Sequence, residues 1–356
     1  MKIVIDRNIP FIREPLERIG EVTALPGDAI TPEVMAETDI LFTRTRTRCD
    51  ENLLRNSRCR FIGTATIGTD HIDLGYCKNH GITAVNAPGC NAPAVAQYVL
   101  SAISTSLRPG ESLRDKTLGI IGVGNVGSIL ARWAKGLGMH VLLNDPPLAE
   151  KSHPEKSRLF SPITHLAEEC DVISIHTPLT KDGPHPTHHL LDAEFYRSLK
   201  RTPLIINAAR GGVIDTEATK TALTKGLIFD VAIDCWEGEP DIDLSLLSQA
   251  TVATPHIAGY SKEGKIRATA MVLDALRLWM EKNGENPAQL LEGIRQAGLE
   301  IPTVAETITP DMLDYDIMAD TSMLKNLMDN PASIPVKFEE LRNTYHLRPE
   351  PGHNAD

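Results

Sequence analysis

Short apolar runs separated by longer stretches of helical periodicity recur along most of the chain. In the first hundred residues IVID (3 to 6), DILFT (39 to 43), RFIGTAT (60 to 66) and ITAVNA (82 to 87) read as strands, with helical segments such as Pro10 to Ile19 between them. That alternation predicts a parallel sheet with crossover helices. Ala92 to Leu107 then takes helical spacing, and SLRPGESLRDKT reads as a loop. A second series follows: LGIIG (118 to 122), VLLN (141 to 144), DVISI (171 to 175), PLIINA (203 to 208), FDVAID (229 to 234) and TVATP (251 to 255). Six strands with intervening helices make a complete doubly wound unit. Ser261 to Met280 is an amphipathic helix with Ile266, Ala270, Leu273, Leu276 and Met280 on one face. Beyond residue 286 the periodicity weakens and prolines accumulate. No internal repeat or low-complexity segment interrupts the pattern.

Composition narrows the function. At 356 residues the chain has room for two domains and a smaller third. Apolar residues make up 42% but aromatics only 4%, so the cores are aliphatic. A net charge of −11 argues against a nucleic-acid binder, which needs a basic face. Residues 286 to 356 hold 12 acidic and 5 basic side chains, so most of that charge lies in the tail and reads as solvated surface. Six cysteines (Cys49, Cys59, Cys77, Cys90, Cys170, Cys235) are scattered without zinc-site spacing, and free thiols in a reducing cytoplasm are expected. MKIVIDRN is too short an apolar run for a signal-peptide core, and no stretch reaches membrane-span length. His176, His185, His188 and His189 invite a metal reading, but KDGPHPTHHLL reads as a loop entering a helix without a cysteine or carboxylate at ligand spacing. No metal site is expected.

The first piece of chemistry is GVGNVG, Gly122 to Gly127, which closes an apolar strand and opens NVGSILARWAKGLG. A lone glycine fingerprint is weak evidence; strand, turn and helix together make it a dinucleotide site. Gly122 permits the tight turn, Gly124 lets the backbone approach a pyrophosphate, and Gly127 allows helix and strand to pack closely. Free N–H groups at the helix start then meet phosphate oxygens. Asp145 ends the next strand, where a carboxylate accepts hydrogen bonds from a ribose and repels a 2′-phosphate, which selects NAD over NADP. A glycine-rich turn in an α/β fold without cofactor is the competing reading.

Three residues at other strand ends supply the reaction centre. Arg210 in NAARGGVID, Glu239 in DCWEGEP and His256 in TPHIAGY each follow an apolar run. Hydride removal from a carbinol carbon needs a base for the hydroxyl proton, and neutral histidine suits that role near pH 7. A carboxylate beside His256 would fix its tautomer and raise its pKa, and Glu239 can take that part. Arg210 offers a planar fork matched to a substrate carboxylate. Taken singly, each also reads as a surface arginine, a loop glutamate or a packed histidine.

Taken in order, NAxRG, DxxxxEP and PHxAG resemble the D-2-hydroxyacid dehydrogenases. GTATIGTDHID (63 to 73), NAPGCNAPAVAQYV (86 to 99), GVGNVG, HTPLTKDGPHPTHHLL (176 to 191) and INAARGGVID carry the likeness from Met1 to about Lys282. NDPP, TKDGP and HIAGYSKEGK discriminate within the family. The resemblance implies NAD-dependent oxidation of a small phosphorylated 2-hydroxy acid, 4-phospho-D-erythronate, to (R)-3-hydroxy-2-oxo-4-phosphooxybutanoate in vitamin B6 synthesis. It implies Arg210 and Glu239 as a catalytic pair and His256 as proton donor and acceptor. It places Asn125, Val126, Gly127, Asp145, Thr177, Ala208, Ala209, Arg210, Asp234 and Gly259 at the cofactor, and Thr45, Thr66 and Tyr260 at the substrate. The fold it implies is α/β: two doubly wound, Rossmann-like parallel-sheet domains with a cleft between them, plus a small C-terminal α+β dimerisation region. Residues 1–94 with 257–285 would form a discontinuous substrate-binding lobe, 95–256 the NAD domain and 286–356 the dimerisation region, in which FEELRNTY (338 to 345) matches. A cytoplasmic homodimer that binds neither nucleic acid nor membrane is expected.

The residues themselves also point to an anionic substrate. If the strand DILF continues through TRTRTR, Arg44, Arg46 and Arg48 project from one face. That makes an anion site; the alternative for Arg46 and Arg48 is a solvated edge strand whose charges block pairing. Arg44, beside the family's substrate-contacting position, is the candidate for the phosphate. Other activities remain open: oxidation of 3-phosphoglycerate, conversion of hydroxypyruvate or glyoxylate, or a non-enzymatic NAD sensor or corepressor on the same fold.

Overall fold

Parallel strands covered on both faces must be apolar at successive positions, and the strongest runs in the chain obey that rule. In the computed structural model, which describes residues 1–353, they form two separate sheets. The first has the order β2-β1-β3-β4-β5, from β1 (Lys2–Asp6), β2 (Glu21–Leu25), β3 (Ile40–Thr43), β4 (Phe61–Thr64) and β5 (Thr83–Val85). Every pairing in it is parallel, with Ile3 opposite Ile40 and Ile40 opposite Phe61. Alternation sorts the faces: Ile3, Ile5, Phe42 and Phe61 enter one core, while Val4, Leu41 and Ile62 enter another. Helix Lys262–Lys282 covers the first of these with Leu273, Leu276, Trp279 and Met280.

The second sheet has the order β11-β10-β9-β8-β6-β7, all parallel. Its strands are β6 (Thr117–Ile121), β7 (His140–Asn144), β8 (Val172–Ile175), β9 (Leu204–Asn207), β10 (Asp230–Ile233) and β11 (Val252–Ala253). Strand order reverses between β6 and β8, the switch point where open α/β sheets bind ligands at the strands' carboxyl ends. Helices Ala92–Thr105 and Asn125–Gly136 cover one face.

By compactness the chain divides into Met1–Asn91 with Ser261–Thr303, and Ala92–Tyr260 with Val304–Asp356. The expected tail region, 286–356, is thus shared between the two units, and its last three residues lie outside the described ones. Three expectations need correction. Strand β2 is not among the apolar runs: EVTAL is a half-exposed edge strand and lacks a continuous apolar run. The tail is helical and not α+β in its described part, with helices Ala288–Gln296, Ile317–Lys325 and Ile334–Asn343. It also covers its own chain. Leu324, Ile334 and Phe338 are at most 1% exposed and join the core under β9 and β10, so these residues need no second subunit to leave water. Met318 and Met323, by contrast, stay exposed.

All six cysteines are free and buried. Burial pushes the Cys59 and Cys170 thiols up to about 12, so both stay protonated and unreactive.

Candidate active site

The glycine turn sits at the switch point. Gly122 has φ of +90°, and a Cβ on Gly127 would lie 2.1 Å from the Gly122 carbonyl oxygen, so only glycines let helix Asn125–Gly136 start this close to β6. Asn125, Val126 and Gly127 form its first turn, where N–H groups lack helical partners. Open space surrounds the Cβ position of Gly124. Beside the turn, the Thr177 hydroxyl is buried without a hydrogen-bond partner. An orphaned donor next to an open glycine turn and a helix start fits a bound dinucleotide. Asp145 follows β7 and accepts from Val123 N at 2.8 Å and Leu148 N at 2.9 Å, so its carboxylate also braces the turn. Burial lowers the His176 pKa to about 3, leaving a neutral ring bonded to Ser174 Oγ at 2.9 Å.

At the ends of β9, β10 and β11 three loops are laced together. Asn207, fully buried, donates to the carbonyls of Arg210 at 3.0 Å and Cys235 at 3.1 Å. A Cβ on Gly211 would lie 2.0 Å from the Trp236 carbonyl oxygen, so glycine alone lets the Arg210 loop press against the DCWEGEP loop. Ala208 and Ala209 lead into this turn, and Arg210 Nη1 donates to Ala209 O at 2.8 Å. Trp236 Nε1 donates to Thr254 O at 2.9 Å, which ties the glutamate loop to the histidine loop.

These ties bring His256 and Glu239 together. His256 Nδ1 and Glu239 Oε1 are 2.6 Å apart, both half-buried. Burial by itself would lower the His256 pKa, but Cys235 and Glu239 reverse this and hold it well above the ordinary 6.5. We assign most of that rise to Glu239, because burial keeps the Cys235 thiol protonated. Burial likewise opposes ionisation of Glu239, yet the bond and charge of His256 win and hold its pKa below the ordinary value. His256 has φ of +56°, a conformation unfavourable for a residue with a side chain, so its loop must be held from outside. Asp234 does part of this, accepting from Ile257 N at 2.7 Å, Ala258 N at 2.9 Å and Thr254 Oγ1 at 2.7 Å. Gly259 and Tyr260 follow directly, and the Tyr260 ring meets Tyr345 edge-on at 6.0 Å.

Two groups were not anticipated from the sequence. Asn207 looked like the end of an apolar strand; its amide in PLIINA is a polar side chain where burial is complete, which was the available signal. Arg342, inside the FEELRNTY segment, adds a cation beside Glu239 and Tyr260 while its Nη1 contacts Glu339 at 2.8 Å. His189 also finds a carboxylate that spacing could not reveal: Nε2 is 2.6 Å from Glu237 Oε1, on the same loop as Glu239. Together with His188 these residues lie near one another. Each of the three offers a ligand atom within 4.8 Å of the others, and the two imidazoles stack at 4.0 Å and 22°.

In the other unit the TRTRTR expectation fails. Strand β3 ends at Thr43, and residues 44 to 48 turn, so Arg44, Arg46 and Arg48 do not share a strand face. Arg44 is half-buried, Thr45 exposed, and Arg48 pairs with Asp50 at 3.0 Å. Thr66 follows β4, its hydroxyl 2.7 Å from Thr64 Oγ1 and donating to Gly68 O at 3.1 Å. His71 Nε2 extends this polar chain at 3.1 Å.

With this geometry in place, similarity to known proteins is informative. Residues 94–258 match the family model for the D-isomer specific 2-hydroxyacid dehydrogenase, NAD binding domain. The chain is 45% identical to erythronate-4-phosphate dehydrogenase of Bacteroides fragilis, covering 99% of this chain and 98% of that one. It is 40% identical to the Escherichia coli protein of the same name, covering 98% and 92%. Among solved structures, NAD-bound 3-phosphoglycerate dehydrogenase of Entamoeba histolytica is similar with a TM-score of 0.66, 26% identity, and coverage of 80% of this chain and 96% of that one.

Proposed function

The chain belongs to the erythronate-4-phosphate dehydrogenases within the D-isomer specific 2-hydroxyacid dehydrogenase family, and from that premise we propose that it oxidises 4-phospho-D-erythronate to (R)-3-hydroxy-2-oxo-4-phosphooxybutanoate with NAD. The observation that carries the reading is the 2.6 Å His256–Glu239 pair, laced to the Arg210 loop through Asn207 and Gly211. Bound NAD supplies the hydride acceptor. His256 Nε2 takes the C2 hydroxyl proton as the C2 hydride departs and the carbonyl forms, and Glu239 stabilises the imidazolium produced. Arg210 clamps the substrate carboxylate through its guanidinium. Asn125, Val126, Gly127 and Thr177 hold the pyrophosphate side of the cofactor, and Ala208, Ala209, Asp234 and Gly259 its nicotinamide side. Asp145 takes the ribose hydroxyls and rejects a 2′-phosphate. Thr45, Thr66 and Tyr260 orient the substrate, and Arg44 takes its phosphate.

The same reading places the enzyme in vitamin B6 synthesis, in the cytoplasm, as a homodimer. Six buried free thiols support a reducing compartment. No helix among the described residues is long and apolar enough to cross a membrane. Exposed Met318, Met323 and Val336 in the tail support a partner surface there. The deciding assay follows NADH formation with 4-phosphoerythronate, 3-phosphoglycerate and reduced hydroxypyruvate or glyoxylate. Preference for 4-phosphoerythronate is expected. A higher kcat/KM on any of the others would overturn the substrate assignment.

A further inference from the structure

The tail reaches the reaction centre through Arg348, a residue to which neither the resemblance nor the proposed reaction gives a role. Arg348 is 7% exposed. Nη1 donates to the carbonyls of Ile257 at 3.2 Å and Tyr260 at 3.1 Å, and Nη2 to those of Ala258 and, at 3.0 Å, Ala94. Nε donates to Gln97 Oε1 at 3.1 Å, and the guanidinium plane lies 4.2 Å from the Tyr315 ring centre. Thus the buried cation spends three of its bonds on the short loop that carries His256 and Tyr260.

The amide side of that loop is held by the opposite charge. Asp234, 1% exposed, accepts from the N–H groups of Ile257 and Ala258. Peptides 257 and 258 are therefore gripped between a carboxylate on their donors and a guanidinium on their acceptors. A planar fork with five N–H donors can reach carbonyls pointing several ways at once; an ammonium group cannot reproduce that pattern. The left-handed conformation of His256 gives the clamp its purpose, since a loosened loop would relax to a favourable φ and swing the ring off Glu239.

We propose that Arg348 is a positioning residue for proton transfer, which with Asp234 clamps loop 256–260 so that the C-terminal tail completes the active site of its own chain. The inference rests on the proposed role of His256 in the reaction. The groups facing His256 are Glu239, Cys235 and Asp234, with Arg342 beside Glu239.

The test uses the full-length chain with Arg348→Lys and, separately, Gln97→Leu, which removes an anchor of the guanidinium without touching the loop. NAD affinity and the NMR titration of the His256 ring are measured alongside kcat. For Arg348→Lys the expected result is near wild-type NAD affinity, a kcat lowered about tenfold or more, and a His256 pKa lowered toward the ordinary value. Gln97→Leu should shift both quantities the same way, less far. A purely structural role would lower the melting temperature and leave the histidine titration in place. An unchanged titration in whichever variant still binds NAD overturns the clamp. The titration needs no substrate, so a wild-type protein inactive on 4-phosphoerythronate would sink the substrate assignment alone.

Discussion

Replacing Glu239 by glutamine keeps the shape of the acid/base pair and removes its charge. The bond at stake is the 2.6 Å contact between Glu239 Oε1 and His256 Nδ1, both half-buried. Hydrogen bonds to charged groups contribute about 1.5–3 kcal/mol, and one pKa unit corresponds to about 1.4 kcal/mol. Glu239→Gln should therefore lower the His256 pKa. The sign for catalysis follows from the proposed role of the ring. In the oxidation direction His256 must be neutral to accept a proton, so kcat/KM rises with pH as the imidazolium deprotonates. Lowering its pKa moves this acid limb to lower pH by the same amount. Meanwhile the plateau falls, because the imidazolium formed in the transition state has lost its partner; if half of the stabilisation is felt there, the loss is about three- to tenfold. Initial rates of NADH formation across the pH range, with NAD binding measured separately, decide the matter. An acid limb that stays in place or moves to higher pH, in a variant that binds NAD normally, would refute the assignment of the raised pKa to Glu239.

Asp145→Ala should lessen discrimination against NADP and weaken NAD binding, since it also removes the bonds to Val123 N and Leu148 N; losing such a cap costs about 1 kcal/mol. Paired NAD and NADP kinetics test this, and unchanged selectivity counts against it. Gly211→Ala should abolish activity or folding, because its Cβ would meet the Trp236 carbonyl at 2.0 Å; a variant with normal kcat would show that the two loops can part freely. Phe338→Ala should destabilise the chain by about 3–5 kcal/mol, read by denaturant unfolding, as expected for a fully buried aromatic. Met318→Glu with Met323→Glu should convert a dimer to a monomer in sedimentation without that loss of stability; a dimer that persists would place the interface elsewhere.

Much of this protein is legible in the order of its residues. Strands β6, β8, β9 and β10 stand out because a parallel strand buried on both faces is apolar at most positions. The glycine turn is legible because backbone crowding admits no other residue, and Arg210, Glu239 and His256 because each follows such a run. Where burial is partial, the pattern fades, so the edge strand EVTAL carries no clear signal and TRTRTR does not show whether strand β3 continues or the chain turns. The tail shows the limit most clearly. The resemblance makes it a dimerisation region, yet its Leu324, Ile334 and Phe338 are covered by their own chain. Nor does spacing along the chain reveal that Asn207 joins two loops, that Glu237 meets His189 across 48 positions, or that Arg348 grips carbonyls about 90 positions upstream. Local sequence determines which segments must be buried and which backbone turns are sterically possible. Which polar group satisfies which buried carbonyl is decided only when distant segments meet, because a hydrogen bond depends on position in space.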